Sequence, residues 1–334
     1  MTCTLVYSDA MASYDLGPDH PLKPERFTLA VDLMRDMGLL ADTGGPIAHL
    51  SDVRPATERQ LTLVHDPEYV AVVREASSAP NRFAWRTLRG IGPGDTPAAP
   101  GLHEAAALIA GGTIAALLRT LSADDAGYSF AVAGGLHHAH RDRAAGFCVY
   151  NDPAVAIAVA LDAHPDARIA YLDVDAHHGD GVQELFYSDP RVLTISLHES
   201  GRYLYPGTGA ENETGAGKGA GYSLNVPLPP FAGATCYGIA LDEVVSPALA
   251  AFRPDALLVQ CGADSHHADP LTHLGLTLSD MRELYVRLIA LAEEHCSGRL
   301  ACTGGGGYGT YSVVPRAWTL LAATLAGADA PDPL

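Results

Sequence analysis

Lysine is nearly absent from this chain of 334 residues: Lys23 and Lys218 are the only two, and 39 acidic residues face 21 basic ones. The formal charge of −18 excludes a nucleic-acid binder, because a surface of that sign repels phosphate. Long hydrophobic runs are also missing. No stretch of about 18 apolar residues passes without polar interruption, and no basic start leads into an apolar run. Neither a membrane span nor a signal peptide is therefore expected, and the protein is placed in the cytoplasm. The six cysteines (Cys3, Cys148, Cys236, Cys261, Cys296 and Cys302) show no C-x-x-C spacing, which excludes a disulfide framework and reads as reduced, buried thiols. Internal repeats, low-complexity tails and Pro/Ser/Gly linkers are lacking too, so residues 1–334 are expected to form a single domain.

What is present suits a large buried core, with 48% hydrophobic residues and only 18% charged. Strand-like runs at residues 4–7, 129–133, 168–174, 192–197, 223–226, 256–261 and 300–303 are separated mainly by helical patterns. The best of these patterns cover 25–40, 104–121, 152–163, 279–296 and 313–325, with Asp152 as the cap of the third and Pro153 in its first turn. Such alternation predicts an α/β fold, a largely parallel sheet with helices on both faces.

The densest chemistry lies in Asp173-Val174-Asp175-Ala176-His177-His178-Gly179-Asp180-Gly181, three carboxylates and two imidazoles directly behind an apolar run. In open α/β sheets ligands bind at the carboxyl ends of strands. Alternation along Asp173, Asp175 and His177 would send all three side chains to one side of an extended backbone. An isolated Asp-x-Asp could equally cap a helix, but two added histidines favour a metal site. Four further segments carry reactive groups, each read as ending a strand-like run: Gly134-Gly135-Leu136-His137-His138-Ala139-His140, Gly146-Phe147-Cys148-Val149-Tyr150-Asn151-Asp152, Gly262-Ala263-Asp264-Ser265-His266-His267 and Thr303-Gly304-Gly305-Gly306-Gly307-Tyr308. All can therefore converge on one crevice. The glycine-rich stretch from 206 to 221 lacks the Ser or Thr that a phosphate cradle needs after Gly217-Lys218, and reads as a flexible loop. His65, His103 and His198 read as structural, while His140, His266 and His267 lie near the crevice without a role.

These segments, with Asp19-His20-Pro21-Leu22-Lys23-Pro24-Glu25-Arg26, resemble the zinc-dependent deacetylases of the arginase/deacetylase fold, which include histone deacetylases, acetoin-utilisation proteins and acetylpolyamine amidohydrolases. The resemblance runs from about residue 14 to 315, and Asp269-Pro270-Leu271-Thr272-His273-Leu274 and Val314-Pro315-Arg316-Ala317-Trp318-Thr319 point to the acetoin-utilisation branch. It implies that Asp175, His177 and Asp264 bind Zn²⁺, with Fe²⁺ or Mn²⁺ also suited to the oxygen-rich set. It makes His138 the main general base and acid, His137 its partner, Asp173 and Asp180 the respective carboxylates that orient them, and Tyr308 the donor to the developing oxyanion. Gly146, Phe147 and Tyr205 correspond to the tunnel that admits the acylated chain, with Tyr205 standing where the family usually has Phe. Asp95 corresponds to a rim carboxylate that accepts substrate amides. Structural K⁺ or Na⁺ would sit on Asp173, Asp175, His177, Ser196 and Leu197, and on Phe186, Asp189, Val192 and Tyr222.

The implied activity is removal of acetyl or other acyl groups from lysine side chains; the alternative is hydrolysis of small N-acetylated amines. A pseudoenzyme that only binds acyl-lysine is disfavoured by the intact reactive set. An arginase-like ureohydrolase would need bridging ligands for two Mn²⁺ ions, where this chain has Ala176-His177-His178-Gly179 and Ser265-His266. One divalent ion per chain is expected, which elemental analysis of the purified protein reads directly.

Overall fold

The computed structural model describes residues 3–122 and 127–328. Its eight strands are β1 (Cys3–Val6), β2 (Ile47–Leu50), β3 (Tyr128–Ala131), β4 (Ile169–Asp173), β5 (Val192–Glu199), β6 (Ser223–Leu228), β7 (Ala256–Gln260) and β8 (Leu300–Thr303). They form one sheet in the order β2-β1-β3-β8-β7-β4-β5-β6, and every pairing is parallel. Each of the seven expected runs is a strand. The eighth, β2, gives no sequence signal, because of its four residues only Ile47 is buried at the sheet edge. Every residue of β1, β3, β4, β5, β7 and β8 is buried, as parallel strands covered on both faces require.

The helices are α1 (Glu25–Asp36), α2 (Glu58–Leu61), α3 (Pro67–Ser78), α4 (Leu102–Leu121), α5 (Asp152–Ala163), α6 (Asp180–Phe186), α7 (Ala234–Ala240), α8 (Ser246–Phe252), α9 (Leu278–Cys296) and α10 (Val314–Leu325). On one side α4 packs on α3, α5 and β3; on the other α10 packs on α1 and α9. The pattern over 25–40 ends early, because Gly38 turns left-handed at φ +67° and its amide closes the helix on the Arg35 carbonyl. By length and composition α4 alone among the described helices could cross a membrane, yet 72% of its most apolar window is buried inside the protein. It is a core helix. All six cysteines are unpaired, and only Cys236 is not fully buried.

Parallel pairing puts every carboxyl end on one edge of the sheet, and the order makes β3, β8, β7 and β4 contiguous. The loops that follow these four central strands carry His137-His138, Gly304 to Tyr308, Asp264, and Asp173 to Asp180. The segment from Gly146 to Asp152 ends no strand: it is the far part of the long connection from β3, and it leads into α5. Nor does Asp152 cap that helix. The cap is Asn151, whose side chain accepts from the Ala154 amide, while Asp152 is the first helical residue. The fully buried Asp152 carboxylate instead accepts from the amides of Gly135 and Leu136 and from the Thr113 hydroxyl, tying α4 and α5 to the turn that holds His137.

Removing that carboxylate strands two buried amides, each worth about 1–3 kcal/mol. Asp152→Ala is expected to destabilise the protein by about 3 kcal/mol, read as a lowered denaturant midpoint.

Candidate active site

β4 ends at Asp173, and the chain bends at once through residues 175–177. Strand alternation therefore places Asp173 alone. The bend turns Asp175 and His177 toward Asp264, four residues beyond the end of the neighbouring strand β7, so that the ligand atoms of all three lie within 4.8 Å of one another. His177 Nδ1 is 3.1 Å from Asp175 Oδ1 and 2.9 Å from Asp264 Oδ2. His178 faces away, bonded through Nδ1 to Thr208 and stacked near His198. Its contribution to the density of reactive groups in the sequence was coincidental.

Asp175 and Asp264 are wholly buried, and a buried carboxylate costs several kcal/mol unless it is well bonded. The Gly306 amide (2.7 Å) and Gln260 Nε2 (2.6 Å) donate to Asp175 Oδ2, the His177 amide donates to Oδ1, and the Ala176 amide (2.8 Å) donates to Asp264 Oδ1. Positive charge is still short. Burial and the charge of Asp175 push Asp264 up to about 7; burial works against protonating His177, but the two carboxylates outweigh it and raise it to about 10. A divalent cation fits this deficit, and one nitrogen with two carboxylates is a donor set that suits it. The glycines fit as well: a Cβ on Gly306 would lie 2.0 Å from Asp264 Oδ2, and one on Gly262 2.1 Å from Asp175 Oδ2. Bare backbone presses both carboxylates into the cluster.

Beside it, His137 Nδ1 donates to Asp173 Oδ2 and His138 Nδ1 to Asp180 Oδ1, both at 2.7 Å, and the two Nε2 atoms face each other at 3.0 Å. With both Nδ1 hydrogens committed to carboxylates, an N···N contact of that length needs one further proton, which the pair shares. One imidazole is thus an acid while the other is a base. Burial and then the charge of His137 pull His138 down to about 4; burial also opposes protonation of His137, but Asp173 and Asp175 outweigh it and bring it to about 9. The proton sits on His137.

Tyr308 closes the site, its ring 6.2 Å from that of His177 and 6.0 Å from that of Phe147. Burial, then Asp264 and Asp175, hold its phenol well above 10, so the hydroxyl stays a donor. Phe147 and Tyr205 flank the opening, Tyr205 standing 5.1 Å from the His138 ring. Gly146 packs so closely on the His138 imidazole that a Cβ would lie 2.3 Å from it. Asp95 is exposed; its carbonyl accepts from His20 Nε2, and the His20 ring stands edge-on to Phe147 at 4.5 Å. The rings of His138, His177, Phe147, Tyr205 and Tyr308 are thus linked by contacts beside the carboxylate cluster, whereas Asp95 meets them only through its carbonyl and His20.

Three supporting residues escaped the sequence reading. Arg26, fully buried, donates to the carbonyls of Gly305 (3.0 Å) and Gly307 (2.8 Å) and pins the glycine loop. Gln260 links Asp175 to the Gly262 amide. Asp269 accepts the Tyr308 amide at 2.7 Å. Arg26 and Asp269 lay inside recognised motifs, but only contacts across the fold give them a task. His65 and His198 are structural as expected, bonding the His140 and Gly209 carbonyls, and His103 bonds the Tyr150 hydroxyl.

The histone deacetylase domain family matches residues 20–325. The chain belongs to the histone deacetylase family. The acetoin utilization protein AcuC of Bacillus subtilis (strain 168) is 41% identical over 324 residues, 97% of this chain and 82% of that protein. AcuC of Staphylococcus xylosus is 34% identical over 330 residues, 99% of this chain and 84% of its own. A solved HDAC homologue complexed with SAHA matches with a TM-score of 0.85 at 32% identity, covering 99% of this chain and 85% of that one. The HD domain of HDA15 gives 0.85 at 30% identity, covering 98% and 90%. As a histone deacetylase relative the chain is a deacetylase, a hydrolase of acyl amides, and metal dependence is general in the family.

Gly306→Ala is expected to push the Asp264 carboxylate out of the cluster. The protein should fold but retain less than about a tenth of the wild-type divalent metal after dialysis, read by elemental analysis.

Proposed function

We propose that this deacetylase removes acetyl groups from lysine side chains, with Asp175, His177 and Asp264 holding Zn²⁺. The observation that carries the reading is the shared proton of His137 and His138 beside a buried Asp-His-Asp cluster and a protonated Tyr308. When bound, the ion supplies a Lewis acid and an acidified water. His138, carrying no proton of its own at Nε2 and oriented by Asp180, takes the proton of the attacking water in place of the bond it accepts from His137. His137, oriented by Asp173, keeps its positive charge beside the reacting carbonyl. Tyr308 donates to the oxyanion as the water oxygen bonds to the carbonyl carbon. The C–N bond then breaks, and His138 returns the proton to the leaving amine.

Phe147 and Tyr205 guide the alkyl chain, Gly146 leaves room for it against His138, and Asp95 at the rim accepts amides of a peptide backbone. That rim carboxylate favours a peptide over a small amine, and the charge of −18 favours cationic partners in general. K⁺ or Na⁺ is assigned to the carbonyls near Asp173 and Ser196, paired residues of β4 and β5, and to those near Phe186 and Tyr222.

Turnover of an acetyl-lysine peptide, N-acetylputrescine and longer acyl-lysines tests the substrate. The peptide should be the best of the three; activity confined to acetylputrescine would replace the lysine reading with the small-amine one. Tyr308→Phe should lower kcat by about 10²–10³, as for loss of one oxyanion donor, with metal content unchanged; unaltered kcat would remove Tyr308 from the mechanism.

A further inference from the structure

Asp180 has two carboxylate oxygens, and the proposed mechanism uses one. Oδ1 accepts from His138; Oδ2 lies 3.5 Å from Nε2 of His140, whose Nδ1 donates to Glu184 Oε2 at 2.6 Å. The sequence arranges this locally. Asp180 and Glu184 are one turn apart on α6 and share a face. The loop after His138 turns back through the bond from the His140 amide to the Arg143 carbonyl, and the His140 ring lies against α6. His140 is 7% exposed, whereas Glu184 is half-exposed and lines a cleft of about 490 Å³ with Arg143 and Tyr205. An unbroken series, His138–Asp180–His140–Glu184, thus joins the buried imidazole pair to the surface.

We propose that His140 is a positioning residue for His138: by bridging Asp180 to Glu184 it fixes the Asp180 carboxylate and so holds the catalytic imidazole in its reactive orientation. The inference rests on His138 being the general base.

The charged and titratable groups around His140 are Asp180 and Glu184 from α6, Arg141 and Arg143 from its own loop, and His65, whose Nδ1 donates to the His140 carbonyl. Burial opposes its protonation, but Asp180 and Glu184 prevail and raise it to about 9, so at neutral pH it is a cation. Glu184 correspondingly lies below its usual range, first through the His140 bond. That cation holds Oδ2, so the carboxylate keeps Oδ1 on His138 Nδ1; without it the carboxylate is free to rotate, and the imidazole it orients loses its set direction.

The test is kcat and KM of the metal-loaded enzyme on an acetyl-lysine peptide. His140→Phe should lower kcat about tenfold, with KM within about twofold of wild type and metal content unchanged. His140→Lys, which keeps a cation beside Asp180, should restore kcat. Glu184→Gln, at a half-exposed position that does not threaten the fold, should lower it by less. A kcat of His140→Phe within about twofold of wild type would overturn the proposal, whatever happened to thermal stability. His138→Ala serves as the control: if inactive beside an unaltered His140→Phe, it condemns the His140 role alone, and if fully active, it condemns the base assignment and this inference together.

Discussion

Two carboxylates with no exposure, Asp175 and Asp264, face one another at the ends of adjacent parallel strands, and the rest of the site is organised around keeping them there. Each must find donors or expel its charge. The donors come from the backbone of Ala176, His177 and Gly306 and from Gln260, so the loops after β4 and β8 are held by the carboxylates they surround. Arg26 reaches in from α1 to pin the glycine loop by its carbonyls, and in doing so brings a fixed positive charge near the cluster. With His177 neutral, as a metal ligand must be, the two carboxylates outweigh Arg26 and leave a net negative charge for a cation to meet.

The imidazole pair obeys a related constraint. Two neighbouring histidines would both be poor bases if each were protonated and poor acids if neither were. Separate carboxylates on the two Nδ1 atoms, with the Nε2 atoms in contact, leave a single proton between them. Their environments then divide it: His137 has two anionic neighbours in Asp173 and Asp175, whereas the anion of His138 is shared with His140. Acid and base are thus distinguished by the charges behind them and not by residue type.

Much of this was legible beforehand. The seven strands other than β2, five of the six long helices and the motif residues all carry local signals: apolar runs, caps, and reactive groups behind strands. The edge strand β2, the short helices and the true cap of α5 were not, because four to seven residues with mixed burial carry too little pattern, and because Asn151 and Asp152 have side chains equally able to cap; α3, though 12 residues long, was missed as well. Motif resemblance named Asp173 and Asp180 as the carboxylates behind the two histidines but in crossed order; contacts across the fold put Asp180 on His138 and Asp173 on His137, and the motifs left His140 and His178 indistinguishable as spare histidines beside the site.

By itself the sequence determined the class of fold, the family and the inventory of reactive groups, since each is written in short-range pattern. Only the tertiary structure decided which of those groups meet. The strand order β3-β8-β7-β4 brings four segments, the first and last some 170 residues apart in the chain, to one edge of the sheet. The bend after Asp173 sends His177 inward and His178 outward, and the loop after His138 lays His140 against α6. Distances of 2.6–3.5 Å, which set charge and proton affinity, arise from the packing of remote strands and helices, and no local run of residues encodes them.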